Sequence, residues 1–152
     1  MNDEAICKAV VDQLAQIGIR VNLVAQPKSD HFALIQDEQS DLYLLGWGVP
    51  TFDSEYILSF LYHTKTEKQG AWNGTRYSNS EIDRRIESLS TETDLTKRNE
   101  TIAMIWRFLQ AEMIYVPIHV QTLAYAMKRD LDIPVDISNQ PNLKLVRIRK
   151  PE

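Results

Sequence analysis

The sequence predicts an α/β domain, and three observations carry that prediction. A helix, a glycine and a strand pattern follow one another over residues 3–24; residues 41–47 (DLYLLGW) form a nearly continuous apolar run; and two amphipathic helices with acidic or hydroxylated starts follow in the second half. Helix, glycine and strand in that order make the second half of a βαβ crossover. An apolar run of this length suits a strand buried on both faces.

In the first helix, Ile6, Ala9, Val10, Leu14 and Ile17 fall on one stripe at helical spacing. Asn2 or Asp3 is placed to cap its start, and Gly18 supplies a left-handed stop. Ile19, Val21 and Leu23 then alternate with Arg20, Asn22 and Val24, a strand pattern ending before Pro27. A strand is expected before the first helix to complete the crossover, and none lies within the chain. Ser29 or Asp30 opens a short helix carrying Phe32, Leu34 and Ile35.

After the 41–47 run, Gly46 and Gly48 bracket Trp47, so the backbone is free to bend sharply there. Residues 49–55 read as a loop and 56–62 (YILSFLY) as a short helix beneath it. Residues 63–77 read as irregular, with Gly70, Asn73 and Gly74 as turn formers. Ser78 with Glu81 makes a capping box for a helix that buries Ile82, Ile86 and Leu89. Asp94 caps the longest helix, whose stripe is Ile102, Ile105, Trp106, Leu109 and Met113. Residues 115–128 read as extended, 130–142 as a surface connection bearing Pro134 and Pro141, and 143–148 as a closing strand. Without repeats or a linker, residues 1–152 read as one domain.

Several function classes are disfavoured. The net charge of −4 and the scattered basic residues argue against nucleic acid, whose phosphates need clustered Lys and Arg. The short basic tail Arg147, Arg149, Lys150 reads as the solvated end of the last strand. No apolar run approaches the roughly 18 residues of a membrane span, and no signal-peptide pattern opens the chain. Cys7, the single cysteine, excludes an intrachain disulfide and reads as a small buried side chain. His31, His63 and His119 form no HxH, HExxH or HxxxH pair and read as structural. There is no GxSxG elbow, P-loop or GxGxxG, and Glu92 and Asp94 flank a helix start where capping explains them. The expectation is no catalytic residue, no metal and no cofactor.

The distinctive feature is the aromatic junction of Tyr43, Trp47, Phe52 and Tyr56 around a glycine- and proline-bearing loop. Ligands of α/β sheets sit beyond the C-terminal ends of strands. Trp47 between two glycines there offers a flat apolar wall beside main-chain groups that an extended peptide pairs with. The same residue also suits a plug for the core, and both readings stand.

Five segments together resemble the C-terminal lobe of family 5 extracellular solute-binding proteins, the dipeptide, oligopeptide and nickel-chelate receptors of ABC importers. They are AVVDQLAQIGIRVNL (9–23), DLYLLGWG (41–48), RYSNSEID (76–83), TETDLTKRNETIAMIW (91–106) and MIYVPIHV (113–120). Each is moderately specific; their shared order and spacing strengthen the resemblance, which covers nearly the whole chain. It implies one lobe of a type II periplasmic-binding-protein-like fold, a mixed sheet flanked by helices with its first strand missing, belonging to a longer exported protein. Its implied partners are a small peptide or peptide-like solute, ABC permease subunits and the missing N-terminal lobe. The implied location is periplasmic or otherwise outside the cytoplasm, at the membrane through the transporter.

Peptide receptors of the family place an Asp two or three residues past the Trp to pair with the ligand's α-amino group. Val49 and Pro50 occupy those positions, so that contact is missing, and Asp53 is the next carboxylate. The Gly-x-Pro after Trp47 resembles the nickel-chelate branch instead, and His63 lies in roughly the region of that branch's metal-complex histidine, at an inexact offset. The implied ligand-binding set is Trp47 as a stacking wall, the backbone of Gly48, Val49, Pro50 and Thr51, and Asp53 as a charge contact or a loop cap. The expected function is the substrate-binding component of an ABC importer. The rivals are a stand-alone ligand-sensing or interaction domain of the same fold and, behind it, a small hydrolase.

Overall fold

The computed structural model describes residues 3–136 and 140–149, in two compact units, Met1–Ile114 and Tyr115–Glu152. Helix α1 (Asp3–Gln16) opens the first unit, with Asp3 and Glu4 in its first turn, where negative charge complements the helix dipole. It ends as its sequence requires: Gly18 takes φ of 83°, and the Gly18 and Ile19 amides bond back to Ala15 and Leu14. No residue of α1 is fully buried, and Ile17, expected on its buried stripe, is 72% exposed beyond the last turn. Asn2, the alternative cap, lies outside the described residues, as do 137–139 of the proline-bearing connection and Lys150 of the basic tail.

Helix α2 (Lys28–Gln36) starts after Pro27, whose carbonyl accepts the Asp30 and His31 amides; Ser29 and Asp30 lie inside its first turn rather than capping it. Helix α3 (Ser54–Ile57) runs into a π-helical turn (Leu58–Tyr62), closed by the His63 amide on the Leu58 carbonyl. Helices α4 (Ser80–Ser88) and α5 (Leu95–Glu112) follow, with α4 packed on α5 and on the π turn. The core lies among these elements: Ile35, Leu58, Leu61, Ile82, Ile86, Leu89, Ile105 and Leu109 are buried. Tyr62 meets Trp106 edge-on at 5.3 Å, and the Trp106 indole donates to Ser54 Oγ.

The caps of the last two helices divide. Asp94 caps α5 as read, accepting the Thr96 and Lys97 amides. Asn79, not Ser78, caps α4, because its Oδ1 takes the Glu81 and Ile82 amides while Ser78 Oγ pairs with the Thr64 hydroxyl. Met113 leaves the α5 stripe: it is the left-handed C-cap at φ 52° and is 66% exposed.

The strand patterns fare differently. Residues 19–24 and 41–47 join no ladder among the described residues. A strand stands only when a neighbour takes its N–H and C=O groups, and alternation of side chains does not supply one. In the second unit, 116–128 likewise form no ladder, with Val120 94% exposed. There β1 (Leu131–Asp132) pairs antiparallel with β2 (Arg147–Ile148), Leu131 opposite Ile148 and Asp132 opposite Arg147, extended by the Val135–Pro141 bridge. So the stretch read as a surface connection supplies one strand of the pair. The stretch read as a closing strand is a 3₁₀ turn (Leu143–Leu145), initiated by the Asn142 side chain, before β2 begins. No helix among the described residues is long and apolar enough to cross a membrane.

Candidate functional site

Trp47 stands in an aromatic cluster built from three directions. Its ring centroid lies 6.1 Å from Tyr56, 5.8 Å from Phe60 and 6.1 Å from Trp72, and Tyr56 and Phe60 meet at 4.8 Å one helical turn apart. Trp72 carries the cluster on to Phe32 of α2 at 4.9 Å, over which Lys28 places its ammonium at 5.0 Å. The indole Nε1 of Trp47 is buried without a hydrogen-bond partner among the described residues. Of the sequence-read junction, Trp47 and Tyr56 come together, while Phe52 is 61% exposed in the left-handed region at φ 54°. Phe60 and Trp72 were not read as part of it. Phe60, four residues after Tyr56 on an apolar helix, was the available signal; Trp72 lies in the irregular stretch and gave none.

The loop after Trp47 is a tight turn. Pro50 and Thr51 form its corner, and the Phe52 amide bonds to the Val49 carbonyl at 3.1 Å. Gly48, Pro50 and Thr51 are exposed and Val49 is half-buried. Neither Gly46 nor Gly48 has a positive φ, and a β-carbon on either meets nothing within 4 Å. The left-handed freedom of glycine is therefore unused at both positions, and what they provide is open space on both sides of the Trp47 backbone.

Asp53 has two structural duties. Its Oδ1 accepts the Glu55 amide at 2.8 Å, capping α3, and the guanidinium of Arg98 grips both oxygens, Nη1 to Oδ2 at 2.7 Å and Nη2 to Oδ1 at 3.0 Å. Arg98 Nε also donates to the Leu89 carbonyl at 3.0 Å, so one side chain of α5 ties the end of α4 to the start of α3. The bonds from Arg98, then that from the Glu55 amide, hold the Asp53 carboxyl below the usual range, and the same pair raises Arg98.

His63 is 4% exposed, with Nδ1 2.7 Å from the Thr64 carbonyl and Nε2 3.2 Å from Glu87 Oε1. Thr64 is bound by Asp83 through both its amide and its hydroxyl. His63 and Glu87, with Thr66 and Gln69, border an open hollow of about 340 Å³ to which the Trp47 loop contributes no residue. Among the described residues no three His, Cys, Asp or Glu side chains converge as a metal site. His31 Nε2 donates to the Leu44 carbonyl at 2.8 Å, tying α2 to the 41–47 run. Cys7 is half-buried, and burial pushes its thiol up, away from the thiolate a nucleophile needs.

No family model matches the chain. Over 124 residues, 78% of this chain, it is 22% identical to the glutathione-binding protein GsiB of Salmonella paratyphi A (strain ATCC 9150 / SARB42). The chain spans about a quarter of that protein's length, 24%. It is thus distantly similar to a solute-binding protein.

Proposed function

We propose that this chain is one wall of the ligand cleft in the substrate-binding component of an ABC importer for peptides or similar small polar solutes, and that it has no catalytic activity. It is read as part of the C-terminal lobe of a type II periplasmic-binding-protein-like fold, working outside the cytoplasm beside a membrane permease. The observation that carries the reading is the Trp47 cluster: a ring braced by Tyr56, Phe60 and Trp72, followed directly by the exposed turn Gly48–Thr51. A braced aromatic wall beside accessible main chain is what recognition of a short peptide needs. The distant similarity to a glutathione-binding protein points the same way, since glutathione is itself a tripeptide. Apolar side chains without cover, such as Val24 at 57% and Val116 at 68%, suit surfaces that a second lobe and further strands bury. In this mechanism the solute settles between two lobes, hinge closure buries it, and the closed form docks on the permease.

The test is a thermal-shift screen of the whole encoded polypeptide, with residues 1–152 alone beside it, against di- and tripeptides, glutathione, sugars and nickel chelates. A ligand at 100 times its Kd stabilises the bound form by about 2.7 kcal/mol. A peptide-class ligand that shifts the whole polypeptide but not the isolated segment supports the two-lobe reading, because half a cleft loses most of the ligand burial. An equal shift in residues 1–152 alone would transfer the case to a self-contained sensing domain.

A further inference from the structure

The residues 46–54 that carry the proposed wall contain one ionisable side chain, Asp53. Read as a free carboxylate, it would make this wall a receptor for an ammonium group. Its surroundings give it a different role. Both of its oxygens are taken by Arg98, at 2.7 and 3.0 Å, and one of them also takes the Glu55 amide. A fork-to-fork guanidinium pair presents matched charge in fixed geometry, and a ligand ammonium would have to displace it. Arg98 is held against such displacement from behind, where its Nε is bonded to the Leu89 carbonyl and its side chain is 17% exposed. The neighbouring acid, Glu55, is half-buried, and its Oε1 accepts the Ser59 hydroxyl at 2.8 Å within the same helical stretch.

We propose that Arg98 is a specificity-determining residue of the Trp47 wall: it withholds the Asp53 carboxylate from ligands, so that the wall accepts an uncharged part of a peptide-like solute, such as an acylated amide and its side chain, and not an ammonium group. The proposal rests on the receptor reading above and narrows its ligand class. Arg98 acts through Asp53 and does not itself touch the solute. The surface it leaves is the Trp47 ring and the turn from Gly48 to Thr51, which offer stacking and main-chain hydrogen bonds without net charge.

Paired probes test this on the whole encoded polypeptide: a dipeptide carrying a hydrophobic residue, with its amine free and with its amine acetylated, titrated calorimetrically. The wild type is expected to bind the acetylated probe at least as tightly as the free one. Arg98→Met, which unlocks Asp53, is expected to shift the ratio about tenfold toward the free amine, and Arg98→Met with Asp53→Asn to reverse that shift. Arg98→Lys, which keeps the charge but not the two-pronged grip, is expected to fall between. A tenfold wild-type preference for the free amine overturns the proposal, whether Asp53→Asn or Glu55→Gln then removes it. That comparison needs no variant to fold, so it decides the matter even if circular dichroism shows Arg98→Met unfolded. Binding of neither probe, with peptides failing throughout the thermal screen as well, overturns the receptor reading and this proposal with it.

Discussion

Gly74 lies so close to Ile35 that a β-carbon at position 74 would stand 2.7 Å from Ile35 Cγ2 and 2.8 Å from the Ile35 carbonyl oxygen. Ile35 is fully buried, and neither its carbonyl nor its packed methyl has room to retreat. Gly74→Ala is therefore expected to cost about 1–3 kcal/mol, the range for overpacking. Gly70→Ala should cost more. Its added carbon would meet the His63 carbonyl at 2.5 Å and the Thr64 carbonyl at 2.7 Å, and the φ of 68° adds about 1–2 kcal/mol of backbone strain. Urea unfolding midpoints at unchanged slope would rank the two.

Asn73, read from sequence as a turn former, is 1% exposed and donates one amide hydrogen to the His63 carbonyl at 2.9 Å and the other to the Tyr77 carbonyl at 2.8 Å. Its Oδ1 accepts from Thr75. Asn73→Ala removes both donors from these carbonyls and is expected to cost about 1–3 kcal/mol. Asn73→Asp should be worse than Ala, because carboxylate oxygens would then face two carbonyl oxygens. Thermal unfolding of both variants at pH 7 checks the order.

Acidification should weaken the Asp53–Arg98 link. The folded carboxyl titrates below its unfolded value, so its contribution is complete above the ordinary aspartate pKa of about 3.9 and is lost as pH falls through the folded one. Asp53 is 39% exposed, so solvent screening limits the stake to about 1 kcal/mol or less. Arg98 stays charged throughout that window. The melting temperature of Asp53→Asn should fall less steeply than that of the wild type between about pH 4.5 and 2.5. Parallel curves would mean that other carboxylates govern the acid limb.

How far the fold was legible depended on the distance over which each feature is decided. Gly18 and Asp94 were readable because stop and cap are settled within one turn of the residue itself. The pattern at Ile19, Val21 and Leu23 was equally regular, yet ladder formation depends on a partner strand that local alternation does not specify. Trp47 stands out in the sequence because glycines and aromatics mark it locally, and its contact with Tyr56 follows from the same stretch. Its brace, Trp72, is 25 positions on in an irregular stretch, and the partner of Asp53 is 45 positions on, at Arg98, whose place four residues before Ile102 puts it on the inward face of α5 without specifying which carboxylate it meets. Asp53 as a loop cap was legible; its grip by Arg98 was not. The charge state and hydrogen bonding of Asp53 are set by that second, distant contact.

Helix α4 offers a direct comparison between a cap inferred from motif and the one found in space. Asn79 Oδ1 reaches the Glu81 amide at 3.0 Å and the Ile82 amide at 3.3 Å. Asn79→Ala should therefore cost about 0.5–2 kcal/mol, as should Asp94→Ala at the start of α5. Ser78→Ala, at an exposed hydroxyl pair with Thr64, should cost less than either. Equal losses at positions 78 and 79 in chemical denaturation would argue that the capping box forms after all.

The two readings of Trp47, as core plug and as ligand wall, make different demands on its replacements. Trp47→Ala removes contacts with three rings at once and should cost about 3 kcal/mol, the low end for a large aromatic because the side chain is only half-buried. Trp47→Phe keeps a ring in the cluster and deletes an indole N–H that is buried without a partner among the described residues. Relief of that unpaired donor offsets part of the lost volume, so stability should stay within about 1 kcal/mol of the wild type. On the ligand-wall reading, the smaller ring is a narrower stacking surface, and peptide affinity should fall about tenfold, or about 1.4 kcal/mol. Calorimetric titration beside thermal unfolding separates the two quantities. Loss of stability with unchanged affinity would make Trp47 a plug and move the ligand wall elsewhere.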